Sequence, residues 1–265
     1  MSYSKAFMKI QFVKYQGTGN DFVMLDNRDG RYNSVSIEQI QHLCDRRFGI
    51  GADGLIKINQ KAGVDFEVDY YNADGSKSFC GNGARCSVAF AHELGIIAEK
   101  VSFWAIDGKH KAIKKDGLVH LLMNDVSEVE TIATDLSIHT GSPHYLKWVT
   151  QLKEQAMVEI GRSIRYSEKY KNEGINVNLI EEQSPNAFSI RTYERGVEDE
   201  TLSCGTGVTA AALGVAIKNN RFGELELIAH TAGGELKVAF NRVGETQFEK
   251  IWLIGPGTRV FEGAF

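Results

Sequence analysis

Apolar and polar residues alternate through Met8, Ile10 and Phe12, so residues 9–26 read as a strand, a turn at Gly17-Thr18-Gly19 and a second strand. Ser36-Ile37-Glu38-Gln39 is a capping-box pattern, in which serine and glutamine side chains satisfy the first free N–H groups of a helix. Ile37, Ile40 and Cys44 then share one helical face, which makes Cys44 a core thiol, and the helix is expected to stop near Gly49. Alternation returns from Asp65 to Tyr71, with Phe66, Val68 and Tyr70 on one side. From Asn82 the period becomes helical: Val88, Ala91 and Leu94 form the inner face and Gly95 the stop. Strands follow at about 100–106, 109–115 and 118–124, the first turned by Asp107-Gly108.

The second half repeats this plan. A strand from Ala187 to Tyr193 is followed by a small-residue helix, Val208 to Ile217, ending near Asn219-Asn220. Strands come next at about 224–230 and 235–240, turned by Gly233-Gly234, and at 248–254. The glycine turn falls 28 residues after Cys80 in one half and 29 after Cys204 in the other. The repetition implies an internal duplication: an α/β (α+β) fold of two pseudo-symmetric domains, each a mostly antiparallel sheet wrapped around a central helix. No linker marks the boundary, since the chain has three prolines and no low-complexity run. The last strand of the first half places it near Val126 to Val129, giving domains of 1–127 and 128–254.

Composition narrows the class. The chain has 265 residues, 43% hydrophobic and 24% charged, as expected of a globular protein with a real core. A net charge of -4 leaves no basic footprint for nucleic acid. The longest apolar stretch, Val208 to Ile217, is too short to span a bilayer, and the N-terminal residues lack the apolar core of a signal peptide. The four cysteines, 44, 80, 86 and 204, lack CxxC spacing and read as thiols in a reducing cytoplasm. No HExxH, HxH or CxxC suggests a metal, and neither a Schiff-base lysine nor a phosphate loop for pyridoxal phosphate is identifiable. Gly49-Ile50-Gly51-Ala52-Asp53-Gly54 formally matches GxGxxG, but it follows a helix rather than a strand, so the dinucleotide context fails.

The chemistry concentrates in two stretches, Asn72–Cys86 (NADGSKSFCGNGARC) and Glu194–Ala212 (ERGVEDETLSCGTGVTAAA). Each carries Cys-Gly-x-Gly between a strand and a helix: Cys80-Gly81-Asn82-Gly83 and Cys204-Gly205-Thr206-Gly207. A helix N-terminus favours an anion and lowers a thiol pKa, and glycine turns expose N–H groups that suit a carboxylate. Taken singly, each cysteine also fits a small buried hydrophobe beside a tight turn. Two copies in matching contexts point instead to two thiols facing one substrate carbon from opposite sides, in a cleft between the domains. Cys86, inside the first helix, reads as a packing thiol, and Arg85 as a surface or structural cation.

These stretches, with Gly17-Thr18-Gly19-Asn20-Asp21-Phe22, resemble the diaminopimelate epimerase family from about Lys9 to the C-terminus. The resemblance implies a cofactor-free enzyme of lysine and cell-wall precursor synthesis that interconverts LL- and meso-diaminopimelate, and a homodimer. It implies that residues 255–265 return to the first domain. Cys80 and Cys204 become the catalytic pair, with His144 and Glu194 paired beside them. Asn20, Asn72, Gly81, Asn82, Asn176, Glu194, Arg195, Gly205 and Thr206 become substrate contacts. Arg195 also has its own argument: a guanidinium fork fits the second, non-reacting carboxylate of such a substrate. Taken alone, Asn20 fits a turn, Asn176 a strand edge, His144 a structural histidine and Glu194 a solvated strand end. The chain departs from the family pattern at Gly54, where many members carry Gln, and at Ser142, where GNPH is usual. The loop before Cys80 is one residue shorter and that before Cys204 one longer.

The reaction so implied is inversion at an amino-acid α-carbon. One thiolate removes the proton, and the other thiol protonates the opposite face. N–H groups at Gly81, Asn82, Gly205 and Thr206 hold the carboxylate as charge develops. A proline or hydroxyproline epimerase shares the fold and thiols, but those relatives typically carry His where this chain has Asn82, and lack the ERG segment. A non-catalytic amino-acid-binding relative is the other alternative, against which the presence of both cysteines argues.

Overall fold

A computed structural model describes residues 9–265; Met8, and with it the start of the first alternation, lies outside the described residues. β1 (Gln11–Gly17) and β2 (Asn20–Asp26) form a hairpin whose turn residues Thr18 and Gly19 have φ of 49° and 87°, as a two-residue primed turn requires. After α1 (Ile37–Cys44), β3 (Gly54–Asn59) runs parallel to β2 and antiparallel to β4 (Phe66–Asn72). α2 (Gly81–Glu93) leads to the meander β5 (Lys100–Ala105), β6 (Gly108–Lys115) and β7 (Leu118–Leu122), with β5 parallel to β4.

The second half begins with β8 (Val129–Ile132), β9 (Asp135–His139) and β10 (Pro143–Trp148). A 3-10 turn and α3 (Met157–Arg165) lead to β11 (Asn176–Ser184), β12 (Ala187–Glu194) and the short β13 (Asp199–Thr201). α4 (Gly205–Lys218) is followed by β14 (Gly223–Thr231), β15 (Gly234–Arg242) and β16 (Phe248–Gly255). The final strand, β17 (Thr258–Ala264), crosses back to pair with β1.

The duplication is visible in the ladder. The run β17-β1-β2-β3-β4-β5-β6-β7 pairs antiparallel twice, then parallel, antiparallel, parallel, and antiparallel twice. The run β8-β9-β10-β11-β12-β14-β15-β16 repeats that order. The last strands of the two runs, β7 and β16, pair with each other and join the halves. We propose the boundary in the connection between β7 and β8, near Val126; limited proteolysis that cut first elsewhere would contradict it.

Each half packs its sheet around one helix. α2 is buried from Gly81 to Ala91 within a core that includes Phe22, Phe66, Phe90 and Phe103. α4 is apolar nearly all round and is enclosed by Leu146, Phe188, Leu227 and Leu253, as a helix without a polar face must be. Leu213 is fully buried there, so truncation to Ala would cost about 2–5 kcal/mol. Among the described residues no helix is long and apolar enough to cross a membrane.

Three local expectations change. The capping box forms as read, with Ser36 and Gln39 bonded reciprocally, but Ile37 is 43% exposed and the buried face is Ile40, Leu43 and Cys44. α1 ends at Cys44 because Asp45 turns extended and its carboxylate accepts from the N–H groups of Arg47 and Phe48. Gly49 instead folds back on the helix end, where a Cβ would lie 1.9 Å from the His42 carbonyl oxygen. α3, β3, β8 to β10, β13 and β17 lie where no element was expected, and β11 starts at Asn176, where only a strand edge was read.

Candidate active site

Cys80 and Cys204 occupy the same place in the two halves. Cys80 is the N-cap of α2 with φ -135° and ψ 118°; Cys204 is the N-cap of α4 with φ -118° and ψ 111°. Neither side chain caps its own helix. The two helices pack together at the junction of the halves. Cys204 is buried, Cys80 half-buried, and both are free thiols.

Asn20 and Asn82 surround the first thiol. Cys80 Sγ donates to Asn20 Oδ1 at 3.4 Å, and Asn82 Nδ2 reaches the same oxygen at 3.3 Å. Asn20 Nδ2 in turn donates to Asp53 Oδ2 at 2.7 Å, which fixes its orientation. Gly81, the first residue of α2, is buried behind Cys80.

A chain of neutral groups serves the second thiol. Asn178 Nδ2 donates to the Tyr145 carbonyl at 3.0 Å and to His144 Nδ1 at 3.1 Å, while Asn178 Oδ1 accepts from Thr192. With Nδ1 an acceptor, His144 Nε2 carries the proton and donates to Thr206 Oγ1 at 2.9 Å. The Thr206 hydroxyl can then donate to Cys204 Sγ, 3.4 Å away. His144 is fully buried, and that burial pushes its pKa down to about 3, so it is neutral here. Gly207 makes room for the ring: a Cβ there would lie 3.2 Å from His144 Cε1 and 2.6 Å from Asn178 Oδ1.

The thiols do not behave as the helix-terminus argument alone predicts. Burial raises both, Cys204 to about 12, and the charge of Glu194, which has no ion-pair partner among the described residues, raises both further. The N–H groups of Gly83 and Asn82 at Cys80, and of Gly207 at Cys204, act in the expected downward direction but are outweighed. Desolvation of an anion exceeds the help of one or two N–H dipoles. Glu194, at the end of β12, acts on both sulfurs, and its own carboxyl is raised by burial. It does not pair with His144, whose ring nitrogens are taken by Thr206 and Asn178.

Other expected residues cluster around this centre. Asn176 Oδ1 accepts from the Arg195 N–H at 2.8 Å, and its Nδ2 donates to Ser142 Oγ at 2.8 Å. The serine at the departing position thus orients Asn176. The Arg195 guanidinium is exposed, donates to the Glu173 carbonyl at 2.8 Å and has no carboxylate partner among the described residues. Asn72 is engaged by its own loop, donating to Ser76 and Ser78 and accepting from Tyr70 Oη at 2.7 Å. At Gly54 a Cβ would lie 2.4 Å from Tyr70 Cε2, so the Tyr70 ring fills the space beside that glycine.

The halves meet through Asn82 and through Thr18 and Ser203, to which sequence reasoning gave no role in that contact. Thr18 Oγ1 donates to Ser203 Oγ at 3.0 Å, and Asn82 Nδ2 donates to the Ser203 carbonyl at 3.0 Å. Ser203 lies inside the second quoted stretch and Asn178 two residues after Asn176, and only contact identifies their roles. Arg85 is fully buried at the same junction. A cavity of about 280 Å³ opens beside Cys80, lined among others by Tyr70, Lys77, Ser78, Phe79 and Trp104. No residue of the second half lines it, so this cavity is not the expected cleft between domains.

A model of the family described as diaminopimelate epimerase matches residues 12–127 and 136–259, one stretch in each half. The chain is 46% identical over 255 residues to the diaminopimelate epimerase of Flavobacterium psychrophilum, covering 96% of this chain and 99% of the relative. It is 39% identical to that of Chlorobaculum tepidum, over 93% and 98% of the two chains. Among solved structures, a phenazine biosynthesis protein of the PhzF family from Bacillus anthracis superposes with a TM-score of 0.78 at 13% identity, over 98% and 99%. A hydroxyproline epimerase from Agrobacterium vitis, with bound trans-4-hydroxy-L-proline, gives 0.70 at 16%, over 100% and 93%. At such identities these two share the fold.

Proposed function

Because this chain belongs to the diaminopimelate epimerase family, we propose that it inverts one α-carbon of LL-diaminopimelate with two opposed thiols and no cofactor. It is an isomerase of lysine biosynthesis. The observation that carries the two-thiol reading is the matched placement of Cys80 and Cys204 as extended N-caps of two packed helices.

The N–H groups of Gly81, Asn82, Gly205 and Thr206 would hold the α-carboxylate, and Glu194 the α-ammonium. Pairing with that cation cancels the Glu194 charge which raises both sulfurs, so substrate itself helps ready a thiolate. One thiolate takes the α-proton. The developing carbanion is held by the helix N-termini, and the other thiol delivers its proton to the opposite face. The two sulfurs finish with exchanged protonation states. His144, neutral and bonded to Thr206, fixes the hydroxyl beside Cys204, while at Cys80 the Asn20 amide oxygen accepts from the thiol itself and fixes its direction. Asn72, Asn176 and Arg195 would hold the distal end of the substrate.

We further infer a cytoplasmic homodimer, from the free cysteines and the family resemblance. Light scattering that gave a monomer at working concentration would remove the second part. The substrate is tested by offering the purified chain LL-diaminopimelate, L-proline and trans-4-hydroxyproline without added cofactor. Turnover of the first alone is expected. Turnover of either imino acid in its place, or of none, would contradict the reading.

A further inference from the structure

Arg85 is a cation in a place where physical chemistry disfavours one. It lies in the opening turns of α2, with no exposed surface. Its acceptors are all neutral oxygens: Asn82 Oδ1 at 2.9 Å, Thr18 Oγ1 at 3.3 Å, and the carbonyls of Pro256 at 3.3 Å and Gly81 at 3.4 Å. A helix N-terminus repels positive charge, and a buried ion without a counter-ion costs several kcal/mol. Neither α2 nor α4 carries an acid in its first turn to offset it.

The surroundings are built to admit this side chain. A Cβ at Gly17 would lie 3.4 Å from its Nη2, one at Gly255 3.2 Å from its Nε, and one at Gly205 3.7 Å from its Nη1. Gly205 is the first residue of α4. One guanidinium therefore bonds to the start of α2, the β1–β2 turn and the β16–β17 connection, and a side chain at the start of α4 would meet it. Through Asn82 it also braces the bond to the Ser203 carbonyl.

We propose that Arg85 is a positioning residue of the two-thiol centre: its buried charge favours the thiolate at Cys80 over that at Cys204, and its fork holds Asn82 across the two helix starts. This rests on the reading of Cys80 as an acid–base group. The charged and titratable groups around Cys80 are Glu194, Arg85, Tyr70, Cys86 and Cys204; Glu194 opposes the anion, and Arg85 is the cation that supports it. Around Arg85 the titratable neighbours are the Cys80 and Cys86 thiols. With substrate bound and Glu194 paired, the Arg85 charge remains to support a Cys80 thiolate, whose formation gives up the Sγ–H bond to Asn20 Oδ1.

The test needs no substrate. The pH dependence of carboxymethylation at Cys80 and Cys204 is followed by peptide mass spectrometry in the parent, Arg85→Gln and Arg85→Lys. In the parent, Cys80 has the lower midpoint. Arg85→Gln raises the Cys80 midpoint by about one pH unit and moves Cys204 less. Arg85→Lys keeps the Cys80 midpoint near the parent's but loses about tenfold in kcat/KM, because an ammonium cannot brace Asn82 as the fork does. A folded Arg85→Gln with an unmoved Cys80 midpoint overturns the electrostatic role, and a folded Arg85→Lys with parent kcat/KM overturns the bracing role. If Arg85→Gln does not fold, the parent decides: midpoints that coincide or fall in the reverse order overturn the proposal. A parent inactive on diaminopimelate but with ordered midpoints would instead defeat the assigned reaction and leave the Arg85 electrostatics standing.

Discussion

Asn82 Nδ2 donates to the Ser203 carbonyl oxygen across 3.0 Å, tying the first turn of α2 to the residue before Cys204. That bond is the most direct link between the two cysteine-bearing helix starts. Asn82→Ala removes it, together with the contacts to Asn20 and Arg85. We expect kcat/KM for LL-diaminopimelate to fall by about tenfold or more, the rate equivalent of roughly 1.4 kcal/mol of lost positioning. A variant with parent kcat/KM would show that the bond does not set the geometry of the centre.

Opposed thiols should also be oxidisable together. Mass spectrometry of air-oxidised, inactive protein should find a Cys80–Cys204 peptide, and reductant should restore activity. Both residues sit at the ends of packed helices, and a disulfide needs such proximity. A dominant Cys80–Cys86 link with Cys204 free would count against the arrangement.

Arg195→Lys keeps a charge and loses the fork. Among the described residues the exposed guanidinium makes one hydrogen bond, to the Glu173 carbonyl, which leaves donors for a distal carboxylate. We expect kcat/KM to drop on the order of tenfold, since remote binding also positions the reacting carbon. An unchanged value would mean that Arg195 does not hold that carboxylate.

His144 sets a pH dependence of stability. Its pKa is pushed down to about 3 in the folded chain, against about 6.5 for an unperturbed histidine. As pH falls through that window the unfolded chain takes up the proton and the folded chain does not. Stability therefore falls on acidification, at up to ~1.4 kcal/mol per pH unit. Denaturant titrations should show a steeper loss in the parent than in His144→Asn between about pH 6.5 and 5. Equal slopes would mean that His144 is not held neutral by the fold.

Legibility followed locality. α2, α4 and the strands around them carry clear periodicity and glycine turns, and each half lent support to the other. α3 was invisible because its N-cap is Ala156, which supplies no side-chain cap. β11 shows only as a strand edge at Asn176, because Asn176 and Asn178 interrupt a run that is buried on both faces. The cysteines were legible because their motif occurs twice. Their acidity was not, since helix termini are local and burial is tertiary; the same holds for Arg85, whose sequence context gives no sign that it is enclosed. The Tyr70 ring beside Gly54 is likewise a fact of packing between neighbouring strands.

The two-thiol mechanism itself is tested most directly by the origin of the new α-hydrogen. Reaction of LL-diaminopimelate is started in heavy water, and early substrate and product are separated and weighed by mass spectrometry, with Cys80→Ala and Cys204→Ala run beside the parent. If one sulfur removes the proton and the other, equilibrated with solvent, delivers a different one, early product carries deuterium at the inverted carbon. Recovered substrate stays nearly unlabelled, provided that the first thiol does not exchange its proton and return a deuteron before product leaves. Each single variant loses epimerisation, although the surviving thiol can still exchange hydrogen on its own face. Early product that keeps its protium, or near-parent epimerisation by either variant, would contradict the paired assignment of Cys80 and Cys204.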